Sequence, residues 1–253
     1  MTVSQRHFTN ILSLVGLTTT ISLISPVISW AGFVDIQPRD PLAKSVAEIE
    51  MPVSVDGLAK CTGTFIREDV LLTETHCISG EDRVHRIVVG PGPGYEGRQI
   101  FLSRKIVLPK RFTKPSPALI FLQPLKGETL EMRQALIKPL PVLMNTSFSW
   151  STSQQMLVLG YGKRDGDGRL RGHTRVGTRG NWWNTELIVS PRLPESYLVA
   201  GDSGGPALVE TEEGWKLWGT TWAIQVGYDL FMHVARYQNW ISSTLAREPR
   251  LPK

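Results

Sequence analysis

Cysteine is scarce in this chain of 253 residues, which holds only Cys61 and Cys77. Two sulfurs alone cannot build a tetrahedral zinc site, though they could contribute to one. A single disulfide is the simpler reading if the chain is exported. No run of lysine and arginine alternates with aromatic residues, so the formal charge of +5 reads as a solvated basic surface. A nucleic-acid groove would need that alternation, and no nucleic-acid partner is expected. No fixed-period repeat and no low-complexity tract occurs. Gly90-Pro91-Gly92-Pro93-Gly94 is not followed by Gly-Lys-Ser/Thr, which excludes a phosphate cradle. Asp165-Gly166-Asp167-Gly168 lacks the later acids of a calcium loop, so no metal is expected there.

Acids are also missing ahead of Asp35, and this absence carries information about targeting. Arg6 and His7 precede an apolar run from Ile11 to Val27, and Ser29-Trp30-Ala31 offers a small-x-small cleavage signal. Thr18-Thr19-Thr20 and Pro26 interrupt the run as a membrane-spanning helix. Residues 1–31 therefore read as a signal peptide, with a mature start at Gly32 and no stable membrane insertion after cleavage. The expected location is secreted or periplasmic.

What is present points to β structure. The 23 glycines and 17 prolines are spread along the chain, and 41% of residues are hydrophobic. That composition suits many short strands, frequent turns and a sizeable core. Val46 to Val55 reads as a first strand near a sheet edge, because Pro52 interrupts it. Val70-Leu71-Leu72-Thr73 reads as another strand, leading into Glu74-Thr75-His76-Cys77. A Cys61–Cys77 bridge would pin the loop carrying His76 to the neighbouring strand. Tyr237, Trp240, Ile241 and Leu245 share one face at helical spacing.

The stretch Gly201-Asp202-Ser203-Gly204-Gly205-Pro206 has what a backbone needs to bend sharply and expose one hydroxyl. A serine hydroxyl is a weak nucleophile at neutral pH and needs a base within reach. Histidine fits that role, since its pKa lies near the working pH.

Taken in order, Cys61-Thr62-Gly63-Thr64-Phe65-Ile66, Thr73-Glu74-Thr75-His76-Cys77 and Gly201–Pro206 resemble the trypsin/chymotrypsin family of serine proteases. Ile106-Val107-Leu108-Pro109, Gly160-Tyr161-Gly162 and the segment Val234 to Leu245 carry the resemblance further, so that it spans roughly residues 46 to 247. The resemblance implies an all-β fold of two six-stranded antiparallel β-barrels with a C-terminal α-helix and the site in the cleft between them. The implied domain covers 32–247. Its N-terminal barrel runs to about 130, its C-terminal barrel covers about 131–236, its helix 237–247, and 248–253 is a tail. It also implies Ser203 as nucleophile, His76 as base, and the backbone N–H groups of Gly201 and Ser203 as oxyanion hole. No cofactor is implied. The expected partners are a protein or peptide substrate and a protein inhibitor, and the expected state is a monomer.

Three features depart from the family pattern. Ser116 stands where the triad aspartate belongs, and no Asp or Glu occurs from Gly97 through Gly127. Glu74, two residues before His76, occupies a position usually held by a small residue, and a carboxylate there could orient His76 instead. A surface acid in a loop is the plainer reading of Glu74. Asp202 corresponds to the acid that pairs with an activation-freed amine, here the one expected at Gly32, or else it pairs within its own loop. At the substrate pocket the resemblance places Tyr197 on the floor, Thr221-Trp222-Ala223 along the substrate edge, and Asp229 where a lining glycine normally sits. Asp229 could attract a basic side chain or be a solvated loop acid.

Overall fold

Alternating residues along the strands fill two separate interiors. The computed structural model describes residues 33–36, 40–54, 57–78, 84–90, 98–110, 115–144, 154–162, 169–182, 185–194 and 197–250. The expected signal peptide, the Gly32 start and the Asp165–Gly168 loop lie outside the described residues.

The first barrel is built from β2 (Val46–Ser54), β3 (Gly57–Arg67), β4 (Val70–Glu74), β5 (Arg86–Val89), β6 (Gln99–Val107) and β7 (Pro117–Leu122). They close antiparallel in the order β2-β3-β4-β7-β6-β5. β3 pairs with β2 along its length, whereas β5 flanks only Ala47–Glu50, so Pro52 lies beyond that pairing, where the strand has one neighbour. The register with β3 shifts between Pro52 and Ser54.

The second barrel uses β8 (Gln154–Gly160), β9 (Arg171–Trp182), β10 (Thr185–Pro191), β11 (Pro206–Thr211), β12 (Gly214–Gln225) and β13 (Tyr228–His233). Pairing of β8 with both β11 and β9 closes its ring. A short helix, α1 (Leu130–Leu136), lies between the barrels in sequence, and α2 (Gln238–Arg247) ends the fold. The strand β1 (Phe33–Asp35) pairs with Arg171–His173 of β9, in the C-terminal sheet. β10 reaches β9 only from Thr178 onward, which leaves that side of β9's first residues open for β1.

β4 and β7 do not alternate between buried and exposed, because both of their faces are covered. Leu71, Ile120 and Leu122 point into the first barrel with Phe65 and Phe101. Val70, Leu72, Leu119 and Phe121 face the other way, against Leu157, Leu159, Met232 and Ile241 of the second half. The end of β4, and the turn after it, are thereby fixed against the second barrel. On α2, Ile241 is buried, with Tyr237, Trp240 and Leu245 packed beside it. The helical face read from sequence is a packing face.

Cys61 and Cys77 form a disulfide, 16 residues apart, that ties β3 to the turn holding His76. Replacing both by alanine is expected to lower stability by about 3 kcal/mol in the chain-entropy treatment. Urea denaturation of C61A/C77A against the parent checks this, and a loss well under 1 kcal/mol would show that packing alone sets the junction.

Candidate active site

The Ser203 loop is anchored through its carbonyls. Thr62 lies one residue after the disulfide cysteine Cys61. Its N–H donates to the Ser203 carbonyl at 2.7 Å, and its hydroxyl donates to the Gly201 carbonyl at 2.7 Å. The same hydroxyl oxygen accepts the Tyr161 N–H at 3.0 Å. Gly205 N–H donates to the Asp202 carbonyl at 3.0 Å, and Gly204 N–H donates to the Thr221 carbonyl at 2.7 Å. Nothing in the sequence marked Thr62 beyond its place beside Cys61. Its role emerges only when two residues 139 apart in the chain meet.

Gly204 cannot be another residue. Its φ is +78°, and an added Cβ would lie 2.0 Å from Thr73 Oγ1 and 2.3 Å from the Thr62 carbonyl oxygen. The glycine requirement therefore comes from the first barrel pressing on the loop, in addition to the turn itself.

His76 sits in a one-turn 3-10 segment, Thr75–Cys77, directly after β4. It is exposed, while Cys77 is buried. One nitrogen of its ring lies within 4.8 Å of the Cys61 and Cys77 sulfurs, and both sulfurs are committed to the disulfide. Cys77 Sγ in turn is 3.5 Å from the Ser203 carbonyl oxygen. The fold thus brings His76 and Ser203 to one place, although they are far apart in sequence and come from different barrels.

Asp202 is buried, and its carboxylate accepts N–H groups from Gly162 at 2.8 Å and Val199 at 2.9 Å. It knits together the two glycine-containing loops of the second barrel. The Val199 contact lies within its own loop, and the Gly162 contact reaches a second one.

Glu74 is fully buried, which corrects the plainer reading of a surface acid. It ends β4, where the second barrel covers it. The Thr220 hydroxyl donates to its Oε1, a hydrogen bond that crosses from β12 to β4. A backbone hydrogen bond from Ser116 also reaches the carboxyl group. Burial dominates, and the carboxyl is held well above the usual carboxylate range despite both bonds. Ser116 stands beside it: the Thr75 N–H donates to the Ser116 carbonyl at 2.9 Å, and Glu74 pairs with Pro117 across β4 and β7. Ser116 Oγ, Glu74 Oε2 and Thr221 Oγ1 are buried without a hydrogen-bond partner among the described residues. Each such group typically costs about 1–3 kcal/mol while it stays unpaired.

The pocket residues separate into two sets. Thr221, Trp222 and Ala223 lie on β12 at a bulge, where the register with β13 shifts between Thr221 and Ala223. The extra residue there is Trp222, and bulges commonly re-aim a strand beside a site. The guanidinium of Arg192 lies 5.0 Å from the centre of the half-buried Tyr197 ring. Asp229 is neither a solvated loop acid nor a free carboxylate. It is fully buried and paired with Arg175, which is also fully buried on its side chain. Arg175 further donates to Ser190 Oγ at 3.1 Å and to the Pro191 carbonyl at 2.7 Å. Leu198 N–H approaches the Asp229 carboxylate at 3.4 Å. Arg175 carried no sequence signal, because its partner lies 54 residues away.

Two closed β-barrels that contribute a histidine and a glycine-flanked serine to one junction define a protein of serine-protease type. The Trypsin family profile matches residues 44–241, and the chain belongs to this family. Among solved structures, HBP in an atomic-resolution determination is 18% identical, with a TM-score of 0.67 over 88% of this chain and 100% of that one. HL collagenase is also 18% identical, with a TM-score of 0.68 over 85% of this chain and 98% of that one. Human heparin binding protein is similar at 18% identity and a TM-score of 0.66, over 88% of this chain and 100% of that one. These likenesses speak to the fold. No curated protein matches the sequence.

Two predictions follow from the buried charges. The raised carboxyl of Glu74 means that the native state keeps its proton to higher pH than the unfolded chain. Stability is then lost as pH rises above the ordinary carboxylate range towards the folded-state value. Glu74→Gln should flatten that decline, as read by urea midpoints between pH 5 and 8. Arg175→Met should destabilise by about 3–5 kcal/mol by leaving Asp229 buried and unpaired, whereas R175M/D229L should recover most of the loss. Thermal or urea melts of the three variants check the ranking.

Proposed function

We propose that this chain is an exported serine endopeptidase. The observation that carries the reading is the junction itself: the Ser203 carbonyl is bonded to Thr62 N–H and lies 3.5 Å from Cys77 Sγ, beside His76. Ser203 Oγ attacks a peptide carbonyl while His76 takes the hydroxyl proton. The proton then passes to the leaving amine, and water hydrolyses the acyl-enzyme by the same route in reverse. The N–H groups of Gly201 and Ser203 hold the oxyanion. In support, the Asp202 carbonyl accepts from Gly205. In a trans peptide the Ser203 N–H must then point the opposite way, off the anchored face. Each such donor contributes about 2.7–4 kcal/mol to transition-state stabilisation. Glu74 serves as the acid that orients His76, since Ser116 supplies none.

Thr221 to Ala223 offer the edge that pairs with substrate backbone, and Tyr197 floors the pocket. The Arg175 pairing neutralises Asp229, so the pocket favours an uncharged side chain over a basic one. The disulfide suits an oxidising compartment, in keeping with a cleaved leader and a secreted or periplasmic site. No helix among the described residues is long and apolar enough to cross a membrane. The protein acts as a monomer on protein or peptide substrates, and a protein inhibitor would occupy the same cleft.

One observation favours a second reading, that of a binding module on a protease fold: Ser116 stands at the position where the triad acid belongs. Labelling with a fluorophosphonate probe separates the two. The wild type should label and Ser203→Ala should not, and folded wild-type protein that fails to label would favour the binding module.

A further inference from the structure

We infer that the Ser116 hydroxyl bridges His76 to Glu74, so that Glu74 at the end of β4 and Ser116 just ahead of β7 together replace the single missing carboxylate. This rests on the protease reading for its kinetic consequences, though not for its geometry. The His76 Nδ1–H would donate to Ser116 Oγ, and the Ser116 O–H would donate to Glu74 Oε2. Both Ser116 and Glu74 act here as positioning residues, since neither touches substrate.

Three observations converge on the bridge. Ser116 Oγ and Glu74 Oε2 are both buried and without a hydrogen-bond partner among the described residues. A hydroxyl that can donate and accept is the group that would satisfy a carboxylate oxygen while still serving an imidazole. The backbone already holds the parts together, because a Ser116 backbone bond reaches the Glu74 carboxyl and Thr75 N–H donates to the Ser116 carbonyl. Residue 75 lies between the two groups to be bridged, so the bond pins the start of the His76 turn to Ser116. Finally, Thr220 fixes Oε1, the other carboxyl oxygen, and leaves Oε2 as the free end.

The bridge also carries a pH dependence. An ionised Glu74 accepts the stronger, charge-assisted hydrogen bond from Ser116, and burial opposes ionisation. The groups facing it are Thr220 from β12 and Ser116 ahead of β7, neither of which titrates below the alkaline range. His76 is the titratable group two residues along the same segment.

The test uses the full chain with Glu74→Gln, Ser116→Ala, the double variant and Glu74→Gln/Ser116→Asp. Activity on a peptide substrate is read together with NMR titration of ¹⁵N-labelled His76. Each single variant should lower kcat on the order of 10²–10⁴-fold, with KM changed only a few-fold. The double variant should be no worse than the poorer single, because one path is cut twice. The aspartate variant should restore most of kcat. The His76 pKa should fall in both single variants, and the part of the rise of kcat with pH that follows Glu74 ionisation should be absent in Glu74→Gln. Additive losses in the double variant, or a His76 titration unchanged by Ser116→Ala, would overturn the bridge, including through an intervening water that bypasses Ser116. If the wild type labels with fluorophosphonate but neither single variant changes kcat, the bridge fails and the protease reading stands. If the wild type does not label but His76 responds to both substitutions, the protease reading fails and the bridge stands.

Discussion

The backbone bond from Thr62 N–H to the Ser203 carbonyl is the constraint on which the site depends. It joins a strand of the first barrel to the serine loop of the second. The neighbouring Cys61–Cys77 disulfide then ties that same strand to the histidine turn. One hydrogen bond and one covalent bond, on adjacent residues, thus register both halves of the site. The Thr62 hydroxyl adds to this by holding Gly201 on one side and Tyr161 on the other. Asp202 extends the brace to Gly162 and Val199. Rigidity of this kind is what a site needs if its donors are to stay where charge develops.

The two barrels could slide past each other if only polar contacts joined them. The doubly covered strands prevent it. β4 and β7 lend one face to the first barrel's interior and the other to a core shared with β8, β13 and α2. That shared apolar surface also explains why a carboxyl group can be buried at Glu74. The strand end is sealed by β12 before it reaches solvent, and the Thr220 hydroxyl donates to the carboxyl there. Burying an acid in this way is unfavourable for the fold, and such strain collects at functional sites.

Much of the site could be read from the chain itself. The motifs around Cys61, His76 and Ser203 are local strings whose residue types follow from local needs: a bend, a small volume, a cross-link. The family membership and the paired barrels accord with that reading. The helical face of Tyr237, Trp240, Ile241 and Leu245 was legible for the same reason, since a period of 3.6 is a property of sequence alone. Partnerships between distant residues were not legible. Asp229 looked like a pocket acid or a loop acid because Arg175 is invisible at that distance in sequence. Glu74 looked exposed because nothing local to Thr73-Glu74-Thr75 announces that β12 will cover it. Pro52 marks the part of β2 with one neighbour, whereas the covering of Ala47–Glu50 by β5 is a property of the whole ring.

The sequence by itself determined the reactive types and their backbone settings: a serine among glycines, a histidine beside a cysteine, and the absence of an acid near Ser116. Only the tertiary structure decided which charges are paired, which acid is buried, and which backbone carbonyl, that of Ser116, holds the start of the His76 turn. The physical reason is that a bend or a cross-link is specified by a few adjacent residues. A buried ion pair or a desolvated carboxyl is specified by whatever the closing of two barrels brings against it.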